Sequence, residues 1–276
     1  MPVKSLLQIY DLKDGRSEVL RELEGHYEAP NWHPTRDELL INGGGRLIRV
    51  GLDVPALQVV TTGMAMRLNN DHGISPDGET LFLTDKTETG KACIYRMPYA
   101  GGDLKRLSEA VPSYWHGIAP DGAWITYAGF RDGGCEIMVM PADGGEEVIL
   151  THGFDHCDGP DVSADGVWIW FNAERNGSSD LWRIQTDGRK LQRMTWDSEV
   201  NWFPHPSPDG QHVLYLAYPE GTRGHPANQD VVLRLMPAEG GPPRDLVRLF
   251  GGQGTLNVPC WAPDGRRFAF MSYDLT

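Results

Sequence analysis

The stretch NVPCWAPDGRRFAFMSYDLT (257–276) decides how this chain folds. In A-P-D-G the proline sets φ, the aspartate bonds to its own turn backbone and the glycine accepts a positive φ, so the chain reverses. Apolar residues then alternate, as they do along a strand. The same layout stands at HPTRDELLI (33–41), SPDGETLFL (75–83), APDGAWITY (119–127), SADGVWIWF (163–171) and SPDGQHVLY (207–215). Thr35, Asp77, Asp121, Asp165, Asp209 and Asp264 are the equivalent points, at intervals of 42, 44, 44, 44 and 55 residues. A period of this size is the length of one four-stranded antiparallel blade.

Each unit reads alike. The turn joins the innermost strand to the second, whose two faces are both apolar, as Trp168 and Trp170 against Ile169 and Phe171 illustrate. A third strand follows, as KACIYRMP (91–98), CEIMVMP (135–141) and DLWRIQT (180–186), then a glycine turn and an outer strand such as EEVILT (146–151). Helical periodicity is absent over any useful length.

The last repeat stops two strands into its blade, and the first begins too late to use residues 1–24. Those leading residues read LLQIYDL, DG and SEVLREL, the third and outer strands that the C-terminus lacks. The expectation is all-β: a single six-bladed β-propeller domain over 1–276, its last blade closed by N-terminal strands pairing with C-terminal ones. Closure removes exposed sheet edges. Turns recurring at random in a β-sandwich would not give three intervals of 44 together with complementary termini. The long interval predicts an insertion between the second and third strands of blade five, at YPEGTRGHPANQD (218–230), as a surface loop and contact site.

Composition narrows the function classes. A net charge of −13 without a basic stripe argues against nucleic acid. No apolar run reaches the roughly 18 residues of a membrane helix. The start lacks a secretory signal, so the expected location is cytoplasmic. Cys93, Cys135, Cys157 and Cys260 lie far apart without a CxxC pair, which supports neither a zinc knuckle nor a disulfide framework. Cys157, in HCDG, reads as a reactive thiol or an ordinary free cysteine. The turns GGGR (43–46) and YAGGD (99–103) lack the lysine and strand–helix setting of a phosphate cradle.

The motif P-x-W-x-P-D-G, nearly complete at Pro259, Trp261, Pro263, Asp264 and Gly265, resembles the TolB-type propeller, the WD40-like PD40 repeat. The resemblance spans the chain. Envelope proteins, the non-catalytic propellers of prolyl-oligopeptidase-like peptidases and oligogalacturonate lyases all resemble this arrangement. A G-x-S-x-G elbow is missing, which argues against serine hydrolysis.

In a propeller the residues leading into the innermost strands surround one mouth of a central channel. Five places before the turn aspartate stand Pro30, His72, His116, Pro160, Pro204 and Pro259, so two neighbouring blades carry histidine where the others carry proline. Seven places before it stand Glu28, Asn70, Tyr114, Asp158, Trp202 and Asn257. His156 and His205 fall in the same segments. This convergence predicts a polar pocket able to hold one divalent metal ion (Mn, Ca, Zn or Mg) and no organic cofactor. His156, His205 and Asp158 are the expected ligands, and His72 or His116 the base. Arg67 can neutralise an acidic sugar. Asn70, Gln253 and Asn257 suit hydroxyls, and Trp115 and Trp202 can stack on a sugar face. The same side chains also fit a structural reading, as hydrogen bonds between blades and as blade core. Oligogalacturonate lyases are similar in holding a metal through histidines and a glutamine, although WFPHPSPDG (202–210) carries only His205 rather than a close histidine pair. The resemblance implies a metal-assisted lyase acting on an acidic or oxidised sugar. The alternative is a non-catalytic propeller that binds a protein or peptide.

Overall fold

The structure, a computed structural model, describes residues 3–54 and 56–275, and every regular element among them is a β-strand. Two compact units emerge, one of residues 1–115 with 254–276 and one of residues 116–253. Each is built from three blades.

In the first unit β1 (Val3–Asp11) and β2 (Arg16–Glu24) precede blade one, which comprises β3 (Tyr27–Trp32), β4 (Glu38–Gly43), β5 (Arg46–Gly51) and β6 (Leu57–Val59). Blade two is β7 (Leu68–Ile74), β8 (Thr80–Asp85), β9 (Cys93–Pro98) and β10 (Lys105–Arg106). Blade three, at whose first strand the second unit begins, is β11 (Ser113–Ile118), β12 (Trp124–Arg131), β13 (Gly134–Pro141) and β14 (Val148–Ile149). Blade four is β15 (His156–Val162), β16 (Trp168–Arg175), β17 (Ser178–Gln185) and β18 (Gln192–Arg193). Blade five is β19 (Val200–Pro206), β20 (His212–Tyr218), β21 (Ala227–Pro237) and β22 (Arg244–Gly252). The chain ends with β23 (Arg267–Leu275), which pairs antiparallel with β1 from Val3↔Leu275 to Asp11↔Arg267. This is a six-bladed β-propeller, closed between its two ends as the surplus and missing strands predict.

The turns behave as their residues dictate. Asp77 accepts the Glu79 N–H at 3.0 Å and the Ser75 hydroxyl, while Gly78 takes a φ of +78°. Ser163–Asp165 and Ser207–Asp209 repeat the device. Both faces of the second strand are buried: Ile169 and Phe171 pack with Ile137 and Ile184, and Trp170 packs with Val213 and Tyr215.

Two details depart from the repeat. The innermost position of blade six is a single bridge, Trp261↔Phe268, flanked by Ala262 N–H to Arg267 O at 2.8 Å and Ala269 N–H to Cys260 O at 3.0 Å. Pro259 and Pro263 supply no N–H there, so a full ladder cannot form. The blade-five insertion is only partly loop. Residues 227–230 lengthen β21 and pair with β22 as far as Ala227↔Gly252, which leaves 219–226 to cross the gap.

Candidate functional site

A backbone irregularity builds the site. In β15 the pairing slips between Asp158 and Asp161, and Gly159 takes a φ of +58°. A Cβ at Gly159 would stand 2.8 Å from Asn172 Oδ1, so only glycine fits. Blade five repeats the slip between Trp202 and His205, with Phe203 at a φ of +56°. A bulky residue rarely adopts that conformation. Its N–H donates to Asn172 Oδ1 at 3.0 Å, and buried aromatic contacts hold the ring.

These bulges break the strict alternation on which the two rings of the sequence argument rest. Equivalent residues one place later, Asp161 and His205, meet instead, with His205 Nδ1 2.9 Å from Asp161 Oδ2. Burial raises the Asp161 carboxyl, and His205 offsets this only in part. Counting rows in the repeat had passed over Asp161.

Asp158 is the centre of a second group. Its Oδ1 accepts the Gly159 N–H at 2.8 Å and faces His116 Nε2 at 3.0 Å. Its Oδ2 faces His225 Nε2 at 3.6 Å and His156 Nε2 at 3.8 Å. His225 lies in the blade-five loop, which the sequence presented as a surface excursion. Nothing in its local pattern marks it, because the insertion interrupts the repeat that would have aligned it. Aromatic rings wall the group: Trp202 is 4.5 Å from His225 between centroids, Phe203 is 5.2 Å from His225, and Phe130 is 6.0 Å from His156.

Burial alone would raise the Asp158 carboxyl, but hydrogen bonds from His116 and His156 and the neighbouring imidazoles hold it well below the usual carboxylate range. Burial also works against a charged His156, yet the Asp158 carboxylate raises it above an ordinary histidine. His225 is lowered by burial and is therefore neutral at pH 7. The unit thus holds one ionised carboxylate beside imidazoles of unlike proton affinity. A pair such as His116–Asp158 can orient an imidazole for proton transfer.

The expected metal set does not assemble as proposed. His156 and Asp158 belong to this group, whereas His205 turns to Asp161. Among the described residues, no group of three or more His, Cys, Asp or Glu side chains is arranged to hold a metal ion. His205 therefore stands apart from the two other side chains of the ligand set that the lyase resemblance implies.

Trp202 is fully buried against His225, a wall rather than an open stacking platform. Gln253 is half-buried, and its backbone N–H donates to Pro226 O at 3.3 Å beside the His225 loop. Cys157 is fully buried, and burial pushes its thiol up, so it is an ordinary core cysteine.

The remaining candidates lie in the first unit. His72 is completely buried in β7 with Nε2 3.5 Å from Leu40 O, and burial lowers it to about 4. Asn257 Nδ2 donates to Asn70 O at 3.3 Å and to Asp71 Oδ1 at 3.1 Å, so these amides tie strands together. The Arg67 side chain is exposed, and its backbone N–H donates to Asp85 Oδ2 at 2.7 Å. Trp115 is fully buried and stacks on Phe82 at 5.9 Å. A Cβ on Gly73 would stand 1.8 Å from its ring, so this tryptophan is blade core.

Comparison with known proteins agrees with a β-propeller fold. The model of the PD40 family, the TolB beta propeller domain, matches residues 112–236. An uncharacterized protein of Agrobacterium fabrum, Atu1656, is 43% identical over 272 residues, 98% of this chain and 93% of its own length. A solved structure from Agrobacterium tumefaciens, described as a candidate TolB, is 43% identical with a TM-score of 0.97, covering 99% of both chains. A manganese complex of oligogalacturonate lyase is far more distant, at 14% identity and a TM-score of 0.57 over 89% of this chain and 67% of that one, a likeness of fold alone. With repeat, closure and relatives in agreement along nearly the whole chain, this protein belongs to the TolB-type β-propeller family.

Proposed function

We propose that this propeller is a non-catalytic scaffold that binds a protein or peptide partner. The observation that carries the reading is the outer edge of blade one. Val54, Leu57, Val59, Met64 and Met66 fall within thirteen residues and are each 44–58% exposed. Among the described residues strand β6 pairs with β5 alone, and no strand pairs with its other edge. Leu57 and Val59, two residues apart, share one strand face and line a groove of 680 Å³ together with Tyr27, Ile48, Arg46 and Glu24. Native edges are usually blunted by charge, whereas this one carries apolar side chains. Its occupant is an extended segment that adds a strand to β6, with backbone pairing for affinity and apolar pockets for specificity.

Extended peptides selected from a random phage-displayed library against this protein test the proposal. The Leu57→Asp, Val59→Asp double variant should weaken the selected peptides about thirtyfold, from roughly 1 kcal/mol lost per side chain. Hydrogen exchange should slow at residues 54–66 on binding. Selected binders indifferent to the double variant would sink the reading.

The His116–Asp158 pair favours one second reading, a lyase acting on an acidic sugar with His116 as the base. Polygalacturonate is the probe. Release of unsaturated uronate by the wild type, lost in His116→Asn and retained in the groove variant, is its expected result. No release from the wild type removes it.

A further inference from the structure

We propose that the cleft between blades four and five binds a free zwitterionic α-amino acid, its carboxylate on Arg183 and its ammonium on Asp165 and Asp209. This goes beyond the groove on blade one and rests on other residues. Arg183 stands opposite Trp170 in the β16–β17 pairing, so the two side chains share one face of blade four. There the guanidinium lies 4.3 Å over the Trp168 ring. Its Nε donates to Gln192 Oε1 at 2.9 Å and its Nη1 to Ala238 O at 2.9 Å. The residue is 8% exposed, so stacking and bonding fix a buried cation in place. Nη2 is left over. Among the described residues it makes no hydrogen bond, and the Glu239 carboxylate stands off at 3.8 Å with its side chain 92% exposed.

Arg183 lines a cavity of 300 Å³ together with Trp168, Pro206, Asp165, Asp209 and Glu239. This is the small end of the range for ligand pockets, about 300–1,000 Å³, and suits a molecule the size of one amino acid. Each aspartate spends its Oδ1 on its own turn: Asp165 accepts from Ser163 and Val167, and Asp209 from Ser207 and Gln211. Neither Oδ2 takes a hydrogen bond among the described residues. Burial works to raise the Asp165 carboxyl, yet the Ser163 hydroxyl, the Val167 N–H and Arg183 lower it, so it is ionised at neutral pH. The cleft therefore offers unused donors on one cation and unused acceptors on two anions, beside the apolar Trp168 and Pro206. A bare anion meets the aspartates, and a bare cation meets Arg183. A neutral ligand buries these charges without pairing them. A zwitterion matches both signs with a charge-assisted bond at each end, and its apolar side chain covers the proline and the indole.

Calorimetric titration of the intact protein with glycine, L-proline, L-leucine and L-phenylalanine tests the proposal. At least one of the four should bind. For that amino acid, the N-acetyl derivative removes the ammonium and the amide derivative removes the carboxylate. Each should bind at least about tenfold more weakly than the parent, the scale of one lost charge-assisted bond. Arg183→Gln should weaken the parent by about the same factor. The Asp165→Asn, Asp209→Asn double variant keeps the turn acceptors and should also weaken binding about tenfold, which covers the case in which Arg183→Gln fails to fold. Failure of all four amino acids to bind overturns the proposal. So does a capped derivative that binds as tightly as its parent, or an affinity unchanged in either folded variant. Leu57 and Val59 take no part in these measurements, so failure here leaves the blade-one reading standing.

Discussion

Leu7→Asp is expected to leave a protein that no longer unfolds cooperatively at room temperature. Leu7 is fully buried in β1, the strand that pairs with Met271 on β23 and with Arg21 on β2. Removing the leucine from a packed core costs about 2–5 kcal/mol, and an unpaired buried carboxylate adds several more. Together these approach the whole stability of a typical domain, about 5–15 kcal/mol. The effect is amplified by position, because β1 is the seam at which the ends of the chain meet. Val19→Asp is the control. It lies on the neighbouring β2 at 50% exposure and should shift stability by no more than about 0.5 kcal/mol. Urea denaturation followed by circular dichroism compares the two. Equal stability of Leu7→Asp and Val19→Asp would mean that β1 does not hold the propeller closed.

Acidification from pH 7 to pH 4 should cost the wild type about 3 kcal/mol more stability than the His72→Leu variant. His72 titrates at about 4 in the folded chain against 6.5 for an ordinary histidine, because it is completely buried. Between those values the unfolded chain takes up a proton that the folded chain refuses. The contribution is therefore fully present above pH 6.5 and is lost as the pH falls through the folded value. Two and a half pK units correspond to about 3 kcal/mol. Leucine fills a similar volume and removes the titration. The difference between the two denaturation curves isolates His72 from the carboxylates and from His26 and His156, which are raised and act in the opposite direction. Parallel curves would show that His72 takes up its proton normally.

His72 also marks how far repeat counting reaches. Placing it and His116 at equivalent positions was sound, because both lie on innermost strands. Their surroundings were not readable in that way. His116 reaches a carboxylate, whereas His72 meets a backbone carbonyl inside the core. Trp115 and Trp202, expected to offer stacking faces, are both fully buried, because Gly73 gives one of them its space and the bulge at Phe203 turns the other inward. Asp158 was legible as a polar residue among the turn-flanking rows. Its companion His225 was not, since it comes from the insertion that breaks the period.

By itself the sequence determined the blade, the number of blades and the pairing of the chain's ends. These follow from local turn chemistry and a two-residue alternation repeated at a fixed interval, both properties of neighbours along the chain. Which histidine meets which carboxylate was decided only in three dimensions. A bulge shifts every later side chain to the other face, and a loop can return a residue from sixty-seven positions away, as His225 returns to Asp158. Neither displacement is written in the period.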